Sequence, residues 1–334
     1  MTVAIADITG QGGTIEPVVA AATRAGPQIR TAVGIASARR PAVLRKTVDY
    51  LTSLENRPER IFVCVPDSED AAGLADCPGV ELMLAPRGLT CQRNRILQVA
   101  ARYADVLVFL DDDFIPAPHF IPRMEEVFAQ EPNVMIATGE VLADGILCGG
   151  LTLTDALEVI ATAAERPAIV ADTYNAYGCN MVIRLSSVVQ HRLAFDEQLP
   201  LHGWLEDVDF SRTMARHGRS VRVEGARGVH LGVKSGRQPG LRLGYSQIAN
   251  PAYLIRKGTM SKTRAFAQIS RNITANAFGT LFGDGTIDRW GRVAGNIIAL
   301  TDLLRGRAHP SKILKLDNLS LREMLLSPRE TRRR

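Results

Sequence analysis

VLVFL, Val106–Leu110, runs straight into Asp111, Asp112 and Asp113, and this stretch decides how the whole chain is read. Five apolar residues in succession, two of them valine, describe a strand buried on both faces. Three adjacent carboxylates cannot follow it into a core, because unpaired buried charge costs several kcal/mol. They must emerge at the strand's carboxyl end, where open α/β sheets build their ligand sites. Hard oxygen ligands clustered there suit Mg²⁺ or Mn²⁺, shared with substrate phosphates. The competing reading is a solvated turn before the next helix, since Pro116 and Pro118 follow at once.

Upstream of this strand, strand and helix patterns alternate. Thr31–Ser37, Arg60–Val65 and Val80–Leu84 read as strands. Pro41–Leu54 has helical spacing with proline in the first turn, and a second helix starts near Thr90 and runs to Tyr103. Downstream, a helix is expected near Phe120–Gln130 and a strand near Val134–Gly139. Two short strands, Asn180–Arg184 and Val221–Val223, flank a helix over Asp207–His217 that Gly218 ends. This order predicts an α/β fold with a mixed, mostly parallel sheet flanked by helices. Residues 140–178 show no clear pattern.

The chain has 334 residues, enough for one large domain and an appendage. Residues 1–28 lack periodicity and read as an N-terminal extension, a candidate for disorder. Residues 29–240 hold the α/β pattern, and residues 241–334 form a basic, helical C-terminal region. No stretch is long and apolar enough to predict a spanning helix, and the N-terminus shows no secretory pattern. The five cysteines are scattered, without a CxxC pair, and read as free thiols in a reducing compartment. A cytoplasmic protein is therefore expected.

The net charge of +5 hides an asymmetry. Residues 1–209 carry 16 Lys and Arg against 28 Asp and Glu, while residues 210–334 carry 24 against 7. The C-terminal region is therefore expected to face an anionic surface. Two segments there, Ala265–Phe282 and Arg289–Arg307, have amphipathic patterns with basic flanks. They fit helices lying on the inner face of the cytoplasmic membrane, or helices packed on protein. No nucleic-acid motif appears, so nucleic acid is not an expected partner.

A second acidic cluster lies in HGWLEDVDFSRTMARHG, His202–Gly218. Glu206, Asp207 and Asp209 open an amphipathic helix, whose dipole favours carboxylates there. Gly203 and Trp204 precede them, and a tryptophan in a glycine-loosened loop can stack on a sugar or serve as core. In GVHLG, Gly228–Gly232, His230 ends a short strand between glycines and is a candidate nitrogen ligand for the metal. The basic stretch Lys234–Arg242 reads as a mobile phosphate-covering loop or a linker.

In order, VGIASARRPAVLRKTVDYL, VCVPDSED, GLTCQRNRI, FLDDDF, GCNMVIR and the Glu-Asp segment resemble the family 2 glycosyltransferases, over residues 29–235. The resemblance is to members of the kind found in bacterial surface or exopolysaccharide assembly. Ala38-Arg39-Arg40 departs from the family's usual aromatic or Asn before Arg. The resemblance implies a GT-A fold, a Mg²⁺ or Mn²⁺ cofactor, and a nucleoside-diphosphate sugar donor, with UDP-sugar favoured. It also implies inversion by single in-line displacement onto a hydroxyl of a glycan or lipid-linked saccharide. Asp113, with Asp111 and His230, is then expected on the metal. Ser37, Arg39, Asp67, Arg93, Asp111 and Asp112 are expected on the nucleotide, Arg93 on its phosphate side. Asp207 is the expected base, and Asn180, Gly203, Trp204 and Glu206 the acceptor contacts. A nucleotidyltransferase uses similar metal logic but needs a glycine-rich phosphate loop that Ser37–Pro41 lacks. A non-catalytic sugar- or membrane-binding scaffold is the third reading.

Overall fold

The computed structural model describes residues 29–233, 239–282 and 287–316. Residues 1–28 and Lys234–Gln238, read above as an extension and part of a loop, lie outside the described residues. The α/β region contains β1 (Thr31–Ala36), α1 (Pro41–Ser53), β2 (Ile61–Val65), β3 (Val80–Leu84), α2 (Leu89–Ala100), β4 (Val106–Asp111) and β5 (Phe114–Pro116). It continues through α3 (Phe120–Gln130), β6 (Val134–Asp144), α4 (Gly145–Cys148), α5 (Leu153–Thr162), β7 (Ile169–Asp172) and β8 (Asn180–Arg184). Then come α6 (Leu185–His191), α7 (Glu206–Met214) and β9 (Arg219–His230), followed by α8 (Gly240–Lys257), α9 (Lys262–Phe282) and α10 (Arg289–Leu304).

One mixed sheet has the order β3-β2-β1-β4-β8-β6-β9-β5, with β7 also on β9. Strands β3, β2, β1 and β4 run parallel, and β6 runs parallel to β9. Antiparallel β8 joins the two parallel groups. Strand β4 is buried over Val106–Leu110, as its unbroken apolar run requires. Val106, Val108 and Leu110 face a core built with Leu44, Val48 and Leu51 of α1 and Met124 and Phe128 of α3. Leu107 and Phe109 face the opposite core, with Ile96 and Leu97 of α2 and Phe210 and Met214 of α7. Helices on both faces exclude water from the whole strand, and only its carboxyl end can release charged groups.

Strand β9 departs most from the sequence pattern. Val221–Val223 and the first three residues of GVHLG, 228–230, belong to one twelve-residue strand, bent by register shifts against β6. The bulges interrupt the period-two alternation, so the pattern breaks into two short runs. Likewise β6 continues past Gly139 to Asp144. The two extensions place Asp144 and Phe114 opposite His230 on its two neighbouring strands.

Beyond the sheet, α8 packs along α10 through Tyr245, Ile248, Ala249, Ile298 and Ala299. Glycines at 244 and 295 let the two backbones meet, since a Cβ at either would collide with main-chain atoms of the facing helix. Helix α8, with Pro251 inside it, was not individually legible, whereas α9 and α10 match the two amphipathic segments. Asp209 ties α7 to this layer, with its carboxylate 2.6 Å from both Lys257 Nζ and Thr259 Oγ1. It therefore anchors one layer on the other, apart from Glu206 and Asp207. Among the described residues, no helix is long and apolar enough to cross a membrane.

Candidate active site

The carboxyl ends of β1 and β4 are adjacent in the sheet. Beside them β5 pairs with the end of β9, so that Asp113 O accepts from Leu231 N at 2.9 Å. This pairing brings His230 Nε2 to 3.3 Å from Asp113 Oδ1 and 4.0 Å from Asp111 Oδ2. One ligand atom from each of Asp111, Asp113 and His230 falls within 4.8 Å of the others, so the three can hold one cation. Two hard carboxylates and an imidazole suit Mn²⁺ or Mg²⁺. Asp111 is the open member, with its side chain one-third exposed, while Asp113 and His230 are buried.

The electrostatics fit a cation. Burial opposes the protonated imidazole, yet bonds to Asp113 and Asp144 and the nearby Asp111 raise His230 to about 10. Burial also works against the charged form of Asp113. Bonds from His230 and the Val233 N–H, with Arg40 nearby, outweigh it and hold this carboxyl below its ordinary range.

The three aspartates have three different surroundings. Asp112 is fully buried, accepting from Ser37 Oγ at 2.5 Å and paired with Arg40 at 2.6 Å. Its main-chain oxygen accepts from Thr47 Oγ1 of α1 at 2.6 Å. Burial pushes its carboxyl up to about 7, against the pull of Arg40. Ser37 and Asp112, expected on the nucleotide, instead bond each other beneath the site. Alternation along the chain explains this: Asp111 and Asp113 point one way and Asp112 the other.

Arg93 is another correction. It was expected beside phosphate, but the structure buries it between Phe109 and Phe195 as a link between acids. Its guanidinium reaches Glu206 Oε1 at 2.5 Å, Asp111 Oδ1 at 3.2 Å and the Gly178 carbonyl at 2.8 Å. The fork geometry of arginine makes three such acceptors reachable at once. A chain of polar contacts thus runs from Asp111 through Arg93 to Glu206, with His230 4.0 Å from Asp111 at its head.

Glu206 and Asp207 open α7 after a tight turn in which Gly203 and Leu205 both have positive φ. Gly203 lies so close to Glu206 that a Cβ there would meet its Cγ at 2.9 Å. Asp207 is half-buried, accepting from Gly178 N at 3.2 Å and Val208 N at 2.8 Å. The helix dipole predicts a lowered pKa, yet the carboxyl is raised. Burial outweighs the Val208 N–H, Arg93 and the Gly178 N–H. Glu206 is buried, which pushes it upward against Arg93, and its Oε2 has no hydrogen-bond partner among the described residues.

The remaining expected residues are spread more widely. Arg39 and Asp67 line one pocket of about 360 Å³ at the ends of β1 and β2, with Pro66, Glu69, Asp70 and Arg87. Arg39 has φ +61° and its N–H bonds Asp70 Oδ1 at 2.7 Å. Its neighbour in sequence, Arg40, turns to Asp112 and Asp113. Trp204 is half-buried, its carbonyl accepting from Asn250 of α8 at 2.7 Å. Asn180, expected at the acceptor, is wholly buried in β8 and bonds Thr138 and the Gly139 N–H of β6. It holds strands together and reaches no cleft.

Sequence reasoning missed Arg40, Asp144, Tyr177 and Gly178. Asp144 Oδ1 lies 3.0 Å from His230 Nδ1, and Tyr177 Oη donates to Asp144 Oδ2 at 3.0 Å. A longer reading of β6 would have placed Asp144 near the site; Tyr177 and Gly178 carried no local signal.

The sequence matches the family described as Glycosyltransferase like family 2 over residues 27–227. The chain belongs to this family. The acids gathered at the end of β4 are thus those of a glycosyltransferase, and its mixed sheet has the expected GT-A arrangement. The nucleotidyltransferase and non-catalytic readings fall away. No curated protein sequence matches the glycosyltransferase.

Solved structures similar to it are distant. One is a mannosyltransferase from Pyrobaculum calidifontis in complex with GDP-Man and Mn²⁺, at 14% identity and TM-score 0.45, covering 90% of this chain and 88% of that one. Another is glucosyl-3-phosphoglycerate synthase from Mycobacterium tuberculosis with Mn²⁺ and UDP, at 16% identity and TM-score 0.46, covering 70% and 82%. A third is S. aureus TarS 1–349 in complex with UDP-GlcNAc, at 11% identity and TM-score 0.49, covering 86% and 84%.

Proposed function

We propose that this glycosyltransferase moves a hexose from a nucleoside-diphosphate sugar, UDP-sugar favoured, to a hydroxyl of a glycan or lipid-linked saccharide. The transfer is a single in-line displacement with inversion. The observation that carries this reading is the polar chain from Asp111, Asp113 and His230 through Arg93 to Glu206 and Asp207. A donor site and a base are thereby held in one fixed relation, as a one-step displacement demands.

Asp111, Asp113 and His230 would hold the divalent cation. When bound, it neutralises charge developing on the departing diphosphate. Arg39 and Asp67 wall the pocket for the nucleotide's base. Asp207 takes the proton from the acceptor hydroxyl, and its raised pKa makes it a stronger base than an exposed aspartate. Glu206 and Trp204 border the acceptor, with Gly203 allowing the turn between them.

The test is thermal stability with a panel of nucleoside diphosphates and their sugars, with and without Mn²⁺. A ligand at one hundred times its Kd adds about 2.7 kcal/mol to the folded state. A metal-dependent shift confined to one base is expected, lost in Asp113→Ala and kept in Asp207→Asn. A folded protein that shifts with no nucleotide would remove the donor reading.

A lipid-linked acceptor would bring the C-terminal region to an anionic membrane. Phe278, Leu281 and Phe282 at the end of α9 and Trp290 at the start of α10 are each more than 60% exposed. Leu304, at the other end of α10, is 90% exposed. Aromatic and apolar groups so placed on a basic region suit a membrane interface. A second copy of the same region would instead bring like charges together. Flotation with phosphatidylglycerol vesicles checks this: the wild type should float, and Phe282→Glu with Trp290→Glu should stay behind. Equal flotation of both proteins would refute the assignment.

A further inference from the structure

We propose that Asp144 is a positioning residue for the cation site: it holds the His230 imidazole so that Nε2 faces Asp111 and Asp113. This rests on the proposed cation at that triad and goes beyond it, because Asp144 is outside the triad and more than thirty residues past the aspartates in sequence.

The backbone arranges the contact. In the parallel pairing of β6 with β9, Asp144 stands opposite His230. On the other side, β5 sets Phe114 opposite the same histidine. The imidazole is therefore flanked by two strands, and its two nitrogens have separate tasks. Nδ1 faces Asp144 Oδ1 at 3.0 Å, and Nε2 faces Asp113 Oδ1 at 3.3 Å. With Nδ1–H donated to Asp144, the Nε2 proton is the one released when a cation binds, which is how a carboxylate fixes a ligating histidine.

Asp144 is itself held in place. Its Oδ1 also accepts from Ile146 N at 3.0 Å, as the cap of the short α4 turn, and its Oδ2 accepts from Tyr177 Oη at 3.0 Å. Both oxygens thus have protein donors, which suits an orienting group rather than a further ligand. The Tyr177 ring stands edge-on to His230, with centroids 6.3 Å apart, and limits rotation of the imidazole from that side. Its neighbour Gly178 bonds Asp207, so the same short segment touches the histidine's support and the base.

The experiment is a Mn²⁺ titration of the full chain, by calorimetry or by loss of the free-ion spin-resonance signal, without any nucleotide. Asp144→Ala should weaken Mn²⁺ binding by about 10–100-fold, the usual effect of removing such a partner. Asp144→Asn keeps an oxygen acceptor for Nδ1 and for Ile146 N, so it should retain most of the affinity. In a His230→Ala background, Asp144→Ala should change nothing further, because the residue acts through the histidine. Thermal midpoints without metal report whether each variant is folded. Should Asp144→Ala fail to fold, Asp144→Leu, which conserves volume, replaces it with the same expectation.

Wild-type Mn²⁺ affinity in a folded Asp144→Ala or Asp144→Leu protein would overturn the inference while leaving the cation site intact. A further loss in the His230→Ala background would overturn it too, by making Asp144 a direct ligand. A wild type that binds no Mn²⁺ would sink the triad reading itself, and this inference with it.

Discussion

Arg93→Met should destabilise the protein by about 3–5 kcal/mol, the range for breaking a buried ion pair from one side. Arg93 is almost wholly buried and holds Glu206, Asp111 and the Gly178 carbonyl together. Without it Glu206 keeps a carboxylate in an apolar site with no compensating cation. Methionine fills much of the space, so the loss is one of charge more than volume.

pH separates the two causes. Burial already raises Glu206 above its unfolded value in the wild type, and loss of Arg93 raises it further, so the variant's folded state holds the extra proton over a wider pH range. The contribution of Glu206 to stability is present below the unfolded pKa and is lost as pH rises through the folded one. Urea unfolding of Arg93→Met should therefore show a larger deficit at neutral pH than near pH 5. A deficit independent of pH would mean that packing alone is responsible. Adding Glu206→Gln should recover a large part of the loss, since the two residues form one unit.

Asp207→Asn is the second change with a large expected effect. Loss of a general base lowers kcat by about 10²–10⁴-fold. Asparagine keeps one oxygen, which serves the closer Val208 N–H at 2.8 Å and gives up the longer 3.2 Å bond from the Gly178 N–H, so fold, Mn²⁺ affinity and donor binding should change little. Release of nucleoside diphosphate, from whichever nucleotide sugar the binding panel selects, measures this. The base must be ionised, and burial raises its pKa. Wild-type kcat/KM should therefore fall on the acid side at a pH above the ordinary aspartate range, and that limb should vanish in Asp207→Asn. An unchanged kcat would remove Asp207 from the role.

Much of the site was legible because its residues sit at ends of strongly patterned elements. VLVFL announces a strand with covered faces, and the charges after it have one place to go. Pro41 and the spacing behind it place α1 to within a residue. The Glu206-Asp207 pair likewise marks the start of α7. Arg39 and Asp67 do meet at one pocket, though they are separated by a helix in the sequence.

What misled was residue type read without direction. Asp112 and Arg93 belong to motifs associated with ligands, yet both face inward, and burial leaves each only protein partners. Asn180 follows the same logic in β8. The bulged ends of β6 and β9 were illegible for another reason: bulges break the alternation by which strands are recognised. Those ends carry Asp144 and His230, so the support of the triad depends on a register no local pattern encodes.

By itself, then, the sequence determined which groups are available: hard carboxylates at one strand end, an acidic pair at one helix start, and a basic, apolar-faced C-terminal region. Burial pattern and local periodicity are short-range properties, and they survive in the chain as written. Only the tertiary structure decided which groups face one another. Pairing of β5 and β6 with β9 brings His230 to the aspartates, and burial of Arg93 ties Asp111 to Glu206. Arg93 and Glu206 are more than one hundred positions apart, as are Asp113 and His230, and the approach of Asp144 to His230 is set by bulged register. Their geometry comes from the packing of the whole sheet rather than from any segment of it.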